Sequence, residues 1–237
     1  MKRITVVICD DHAVFREGLR LLLNATDDIE VIGEAENGHR AVGETKRLRP
    51  DLVIMDIAMP LLNGVEAARR ITVEVPGTKV LILSSYSDDQ CIQKSITAGV
   101  SGYLMKETAA KDLLRAIREV CNGNAFFSPP IAKRLLNRWT NGDLQSRSVA
   151  PPALTPRQRE IVQLIAEGYS SKQMAQHLTV SVKTIEKHRQ AAMTKLDIHE
   201  VATLTRYALS SGVVESNPYA QLAGNAWARA VDNRIQT

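Results

Sequence analysis

The sequence lacks several features that would fix its class at once. Only three of its 237 residues are cysteine, Cys9, Cys91 and Cys121, an odd number spread far apart. No CxxC pair occurs, so neither a disulfide framework nor a zinc knuckle is supported. Three reduced, mostly buried thiols are expected. No apolar run approaches the roughly 18 residues that a membrane span needs. The opening MKRITVVICDDH turns acidic too early for a signal peptide. Internal repeats and low-complexity tracts are missing, which removes collagen-like and coiled-coil classes. The expectation is a cytoplasmic protein with no membrane partner.

What remains is ordinary globular composition, 44% hydrophobic and 24% charged. The length suits one large or two modest domains at ~100–200 residues each. A net charge of +4 hides an asymmetry. Residues 1–125 hold 16 basic against 18 acidic side chains, 126–153 hold 4 against 1, 154–214 hold 8 against 5, and 215–237 hold 2 against 2. An acidic front and a basic back predict two jobs, the second involving nucleic acid.

Up to about residue 122, short apolar runs alternate with amphipathic stretches. The runs are Ile4–Cys9, Val31–Ala35, Leu52–Met55, Val80–Leu83 and Gly102–Met105; helical stretches fall near 13–25, 39–48, 64–74, 88–98 and 109–121. Continuous apolar strands between amphipathic helices predict a doubly wound, five-stranded parallel sheet covered on both faces. NGNAFFSPP then reads as punctuation, IAKRLLNRW as a short basic helix near 129–138, and TNGDLQSRSVAPPA as spacer. The divisions expected are 1–125, a linker over 126–153, a small all-α unit over 154–214 and a tail over 215–237. In the tail, Tyr219, Leu222, Ala226 and Ala230 could share a helical face with Trp227 nearby; the preferred reading is a weakly docked or disordered segment.

Charged and hydroxylic residues gather where these strands end. Asp10 and Asp11 follow the first run, Asp56 the third in DLVIMDIAMP, Ser84 the fourth in VLILSSY, and Lys106 the fifth in GYLMK. In an open α/β sheet that edge binds ligands. Three converging carboxylates need a cation, and hard oxygen ligands with room for water suit Mg²⁺. A lysine and a hydroxyl beside them suit a tetrahedral oxyanion. A carboxylate can attack a phosphoryl group to give an aspartyl-phosphate. Asp56, alone on its strand end, is the expected nucleophile. Asp10 and Asp11 would hold the metal, with a backbone carbonyl near Ala58 as a third protein ligand. Taken singly, an Asp here reads as a helix cap, Lys106 as a solvated charge and Tyr103 as a half-buried ring. Together at one edge they read as a site.

These residues closely resemble the receiver domain of two-component response regulators. The resemblance covers the first ~125 residues, a length typical of one domain. It rests on the acid pair, LVIMDIAMP with Gly64 beyond it, Ser84 and Lys106. It implies a flavodoxin-like fold, Asp56 as phospho-acceptor, Asp10 and Asp11 at Mg²⁺, Ser84 and Lys106 on the phosphoryl group, and Tyr103 as a switch aromatic. Glu107 stands where many receivers have proline after the lysine, so a trans bond is expected there. In receivers the side chains two beyond the acceptor Asp and two beyond the hydroxyl line the path of attacking water, so the resemblance implies Ala58 and Tyr86 in those places. Alanine cannot orient water and tyrosine is bulky, which predicts slow self-dephosphorylation.

The second half reads as helices near 156–167, 171–178, 182–196 and 199–211. Thr155-Pro156-Arg157-Gln158 and Ser170-Ser171-Lys172-Gln173 have capping-box form. The second and third helices flank a tight turn at Thr179-Val180-Ser181, a helix-turn-helix pattern. On the third helix Val182, Ile185, Ala192 and Leu196 form the packing face. Lys183, Lys187, Gln190 and Thr194 form an outer stripe, flanked by Glu186 and Arg189. Lysine suits guanine, glutamine adenine, and glutamate cytosine N4. The segment LTPRQREIVQLIAEGYSSKQMAQHLTVSVKTIEKHRQAAMTKL closely resembles the LuxR/FixJ/NarL-type DNA-binding domain over about residues 154–212. That resemblance implies Glu186, Lys187 and Gln190 at bases, Lys183 and Thr184 at phosphates, Arg189 at either, His188 in a structural role, and a fourth helix that supports dimerisation.

The combined expectation is a DNA-binding response regulator and not an enzyme. A histidine kinase would phosphorylate Asp56, with Mg²⁺ as cofactor, and the active homodimer would bind double-stranded DNA. The alternative is a phosphorylation-independent regulator whose receiver is a dimerisation scaffold. A metal-dependent phosphohydrolase would need an acid two residues past the nucleophile, and Ala58 occupies that place.

Overall fold

The computed structural model of the chain describes residues 3–140 and 154–214. The fold falls into two compact units, Met1–Ala150 and Pro151–Thr237. The first alternates β1 (Ile4–Cys9), α1 (Ala13–Asn24), β2 (Ile29–Ala35), α2 (Gly38–Leu48), β3 (Leu52–Met55), α3 (Gly64–Glu74), β4 (Lys79–Ser84), α4 (Asp89–Thr97), β5 (Gly102–Met105) and α5 (Ala110–Cys121), then β6 (Phe126–Phe127) and α6 (Pro129–Thr140). The strands pair in parallel in the order β2-β1-β3-β4-β5-β6.

Alternate strand residues face opposite ways, and both faces are apolar. Val7, Cys9, Val53, Met55, Val80, Ile82 and Tyr103 join the core under α2, α3 and α4. Val6, Ile8, Leu52, Ile54, Leu81, Leu83 and Leu104 join the opposite core with Leu19 and Leu23 of α1 and Leu113, Ala116, Ile117 and Val120 of α5. The strand order reverses between β1 and β3. That switch point opens a crevice at their carboxyl ends, where Asp10 and Asp56 stand.

The structure differs from expectation after Ala125. Residues 126–140, read as the start of a linker, add to the first unit. Phe126 and Phe127 pair with Gly102 and Tyr103 as a sixth strand, and Ile131 and Leu135 of α6 join the core beneath α3 and α4. Two residues are too few to show a strand period, and the adjacent Ser-Pro-Pro reads as a break. The remaining spacer, 141–153, and the tail reading of 215–237 lie outside the described residues.

The second unit holds α7 (Pro156–Ala166), α8 (Ser171–His177), α9 (Val182–Leu196) and α10 (Val201–Ser210). Both expected capping boxes form, at Thr155 with Gln158 and at Ser170 with Gln173. Ser181 caps α9 by accepting from the Thr184 N–H. α9 packs on α7 and α8, and α10 packs on α7, around Ile161, Leu164, Met174, Ile185, Ala192 and Leu204. One expectation fails here: Val182 is 44% exposed rather than packed. It is the first residue of α9, directly after the Ser181 cap. Met193 takes a buried place instead.

Candidate functional site

The crevice collects the expected residues. Asp10 and Asp56, 2% and 3% exposed, end at the same sheet edge. The Asp56 N–H donates to the Cys9 carbonyl at 2.8 Å, which fixes the two strand ends side by side. Lys106, just past β5, reaches back across this edge. Its Nζ lies 2.7 Å from Asp10 Oδ2 and 2.8 Å from Asp56 Oδ2, and 4.6 Å from the centre of the Phe15 ring. The Lys106 N–H is anchored to the Ser84 carbonyl at 2.9 Å. Every described peptide bond is trans, in keeping with Glu107 after Lys106.

The remaining oxygens are also held. Asp56 Oδ1 accepts the Ile57 N–H at 2.8 Å. Asp10 Oδ1 accepts the His12 N–H at 2.8 Å. Ala58 is half-buried in the turn after Asp56, fixed by Met59 N–H and Gly64 N–H donating to the Ile57 carbonyl at 3.0 and 2.9 Å. Gly64 is required there: a Cβ would lie 1.8 Å from the Asp56 carbonyl oxygen.

Burial raises the Asp56 carboxyl to about 6, although Lys106 pulls it down. Asp11 is raised as well, mainly by burial. Burial pulls the Lys106 ammonium down, but the nearby Asp56 and Asp10 more than offset this and hold it above its ordinary value. One ammonium faces two buried carboxylates with a third beside them, so the crevice stays anionic. Ligand atoms of Asp10, Asp11, His12 and Asp56 lie within 4.8 Å of one another. This mostly hard-oxygen set could hold a divalent cation and fits Mg²⁺.

Ser84 is fully buried at the end of β4, and its Oγ accepts the Tyr86 N–H at 3.2 Å. Tyr103 is fully buried too, rather than half-buried, and its hydroxyl donates to the Tyr86 carbonyl at 2.6 Å. Two contributors escaped the sequence reading. His12 Nδ1 lies 2.8 Å from Asp11 Oδ1 and 3.2 Å from Asp10 Oδ1. Arg16 donates to the Asp10 carbonyl at 2.6 Å and to Glu34 at 3.2 Å, tying the acid loop to β2. For His12 the signal was its place directly after the acid pair; for Arg16 there was none short of the fold.

In the second unit Lys183, Lys187, Gln190 and Thr194 are all exposed along α9, as their spacing predicts. Thr184 is drawn into the cap, its hydroxyl 2.9 Å from Ser181 Oγ. Glu186 accepts the Ser171 hydroxyl of α8 and lies 3.5 Å from Arg189. His188 is half-buried.

An acidic crevice on a doubly wound parallel sheet, joined to a helix-turn-helix unit, defines a two-part regulator. Residues 6–118 match the response regulator receiver domain, and residues 152–208 match the luxR family of bacterial regulatory proteins. The chain is 34% identical over 212 residues to the response regulator protein VraR of Staphylococcus aureus, spanning 90% of this chain and 99% of that one. It is similar to the RcsB response regulator of Salmonella typhimurium, at 25% identity and a TM-score of 0.55 over 87% of this chain and 98% of that one. It is also similar to ChrA, the response regulator of a heme-sensing two-component system, at 31% identity and a TM-score of 0.50 over 90% and 100%. The chain belongs to the response regulators that join a receiver domain to a LuxR-type helix-turn-helix domain, and is a DNA-binding response regulator. Among the described residues no helix is long and apolar enough to cross a membrane.

Proposed function

We propose that this chain is a phosphorylation-controlled transcription regulator working in the cytoplasm. Asp56 accepts a phosphoryl group from a histidine kinase. A carboxylate oxygen bonds to phosphorus as the P–N bond to the kinase histidine breaks, and the ring nitrogen keeps the electron pair. Asp10, Asp11, Asp56 and the Ala58 carbonyl would hold Mg²⁺, which would supply positive charge to neutralise the approaching phosphoryl oxygens. Lys106 exchanges its carboxylate contacts for the phosphoryl group, and Ser84 moves inward to it. Tyr103, coupled to Ser84 through Tyr86, shifts with it. The chain assists its own phosphorylation and turns over no separate substrate.

New charge at Asp56 biases an equilibrium towards a homodimer that binds double-stranded DNA. α9 enters the major groove with Lys183, Thr184, Glu186, Lys187, Arg189 and Gln190 on its DNA-facing side. Lys183, Thr184 and the helix N-terminus meet phosphates. α10 supports the dimer. The likeness to RcsB, solved both in a complex with DNA and as two dimers on two parallel DNAs, supports this half of the reading.

One observation carries the proposal. The Lys106 ammonium bridges Asp10 and Asp56 at 2.7 and 2.8 Å, which supports Asp56 as a nucleophile with a cation beside it. Incubation with acetyl phosphate and Mg²⁺, followed by intact mass, tests it. One added phosphoryl group that is absent in Asp56→Asn is expected. An unchanged mass, or equal labelling of the variant, would remove Asp56 from its role.

A further inference from the structure

We propose that Glu186, together with Ser171, positions the DNA-reading helix and does not read a base, so that discrimination rests on Lys187 and Gln190. The inference depends on α9 being the helix that enters DNA. It goes beyond that reading by assigning a role to Ser171 on α8 and by removing the cytosine contact that glutamate chemistry would otherwise offer.

The two oxygens of Glu186 face different protein donors. Oε1 accepts the hydroxyl of Ser171, the first residue of α8, and Oε2 lies 3.5 Å from Arg189 Nη1 one turn along α9. A bare carboxylate approaching a phosphate-lined groove is repelled. Here the Arg189 guanidinium offsets its charge and the Ser171 hydroxyl donates to it before DNA arrives. Turning to accept from cytosine N4 would weaken the charge-assisted hydrogen bond from Ser171 and the ion pair with Arg189. Lys187 and Gln190 carry no such obligation. Both are exposed, and among the described residues neither side chain meets a hydrogen-bond or ion-pair partner. Lysine donates to guanine O6 and N7, and glutamine pairs with adenine N6 and N7. A half-site read this way requires a guanine and an adenine and makes no demand at residue 186.

The contact also has a mechanical consequence. Ser171 and Glu186 join the first turn of α8 to α9 across the short connection between them. The same carboxylate restrains Arg189, limiting where its guanidinium can meet the DNA.

The test uses the full chain, treated with acetyl phosphate and Mg²⁺, and a pool of duplexes with a randomised half-site. Bound sequences are read for the wild type and for E186A, E186Q, S171A, S171A/E186A, K187A and Q190A. For E186A the base preferences should be unchanged, with affinity for all single-base variants altered by one common factor to within about twofold. E186Q, which keeps an acceptor for Ser171, should also keep the profile. Adding S171A to E186A should change affinity by less than about twofold, since one interaction is already lost. K187A and Q190A should each flatten the preference at one base pair. Selective loss of preference at a single cytosine in E186A, with S171A silent, would overturn the proposal. A wild type that selects no sequence while still accepting the phosphoryl group would instead fail the reading of α9 itself, and the inference with it.

Discussion

The Tyr103 hydroxyl donates to the Tyr86 backbone carbonyl at 2.6 Å. Tyr86 in turn donates its N–H to Ser84 Oγ at 3.2 Å. A hydroxyl at the end of β4 is thereby linked through one residue to a buried ring on β5. Tyr103→Phe keeps the ring and removes the bond, at a stability cost of about 1 kcal/mol. Phosphoryl uptake should stay near the wild-type rate, while the gain in DNA affinity on phosphorylation falls several-fold. Denaturant melts with DNA titrations check both. A wild-type gain in DNA affinity would take Tyr103 out of the signal path.

Burial lifts the Asp56 carboxyl to about 6. A carboxyl raised above its unfolded value favours the fold while protonated, and that contribution is lost as pH rises through about 6. A divalent cation needs the ionised form, so its binding gains over the same interval. Mg²⁺ affinity at pH 5 is expected to be about tenfold weaker than at pH 7.5, following the fraction ionised. Calorimetric titration at the two pH values measures this. Asp56→Asn should flatten the dependence, and a flat wild-type profile would refute it.

Gly64 admits no side chain, because a Cβ would lie 1.8 Å from the Asp56 carbonyl oxygen. Gly64→Ala must push the backbone that carries Asp56. The expected cost is about 3 kcal/mol, the upper end for an overpacked site, with phosphoryl uptake reduced at least tenfold in the chain that still folds. Chemical denaturation and intact mass read the two effects. Wild-type behaviour in both would mean that the turn yields easily.

Ala58 offers no group to hold an attacking water near Asp56. The phosphorylated chain should therefore lose its phosphoryl group slowly in Mg²⁺. Ala58→Asn, which adds an amide able to orient water, should shorten the phosphoryl lifetime several-fold. Intact mass followed over time after removal of the donor tests this, and rapid loss from the wild type contradicts it.

The acidic crevice was legible in the sequence because each apolar strand ends abruptly in chemistry: VVICDD, LVIMD, LILSS and YLMK. Parallel strands put those ends on one edge, so placement followed from topology alone. The capping boxes at Thr155 and Ser170 were legible for a similar reason, since their partners lie three residues away. What escaped depends on distant neighbours. Phe126 and Phe127 become a strand only because the edge of β5 is there to pair with. Arg16 reaches Asp10 and Glu34 through the turn of the fold. Val182 falls on the packing side by helical spacing, yet it stays 44% exposed while Ile185 in the same turn is fully buried. Ser171 and Glu186 meet only once two helices are packed.

Phosphorylation of Asp56 is expected to alter what α9 does. The most direct measurement is fluorescence anisotropy on a DNA fragment recovered from a genomic pool, for wild type and Asp56→Asn, with and without acetyl phosphate and Mg²⁺. The prediction is binding at least about tenfold tighter, or 1.4 kcal/mol, in the phosphorylated wild type alone. Equal binding in all four samples would contradict the account and leave the receiver a scaffold for the DNA-binding domain.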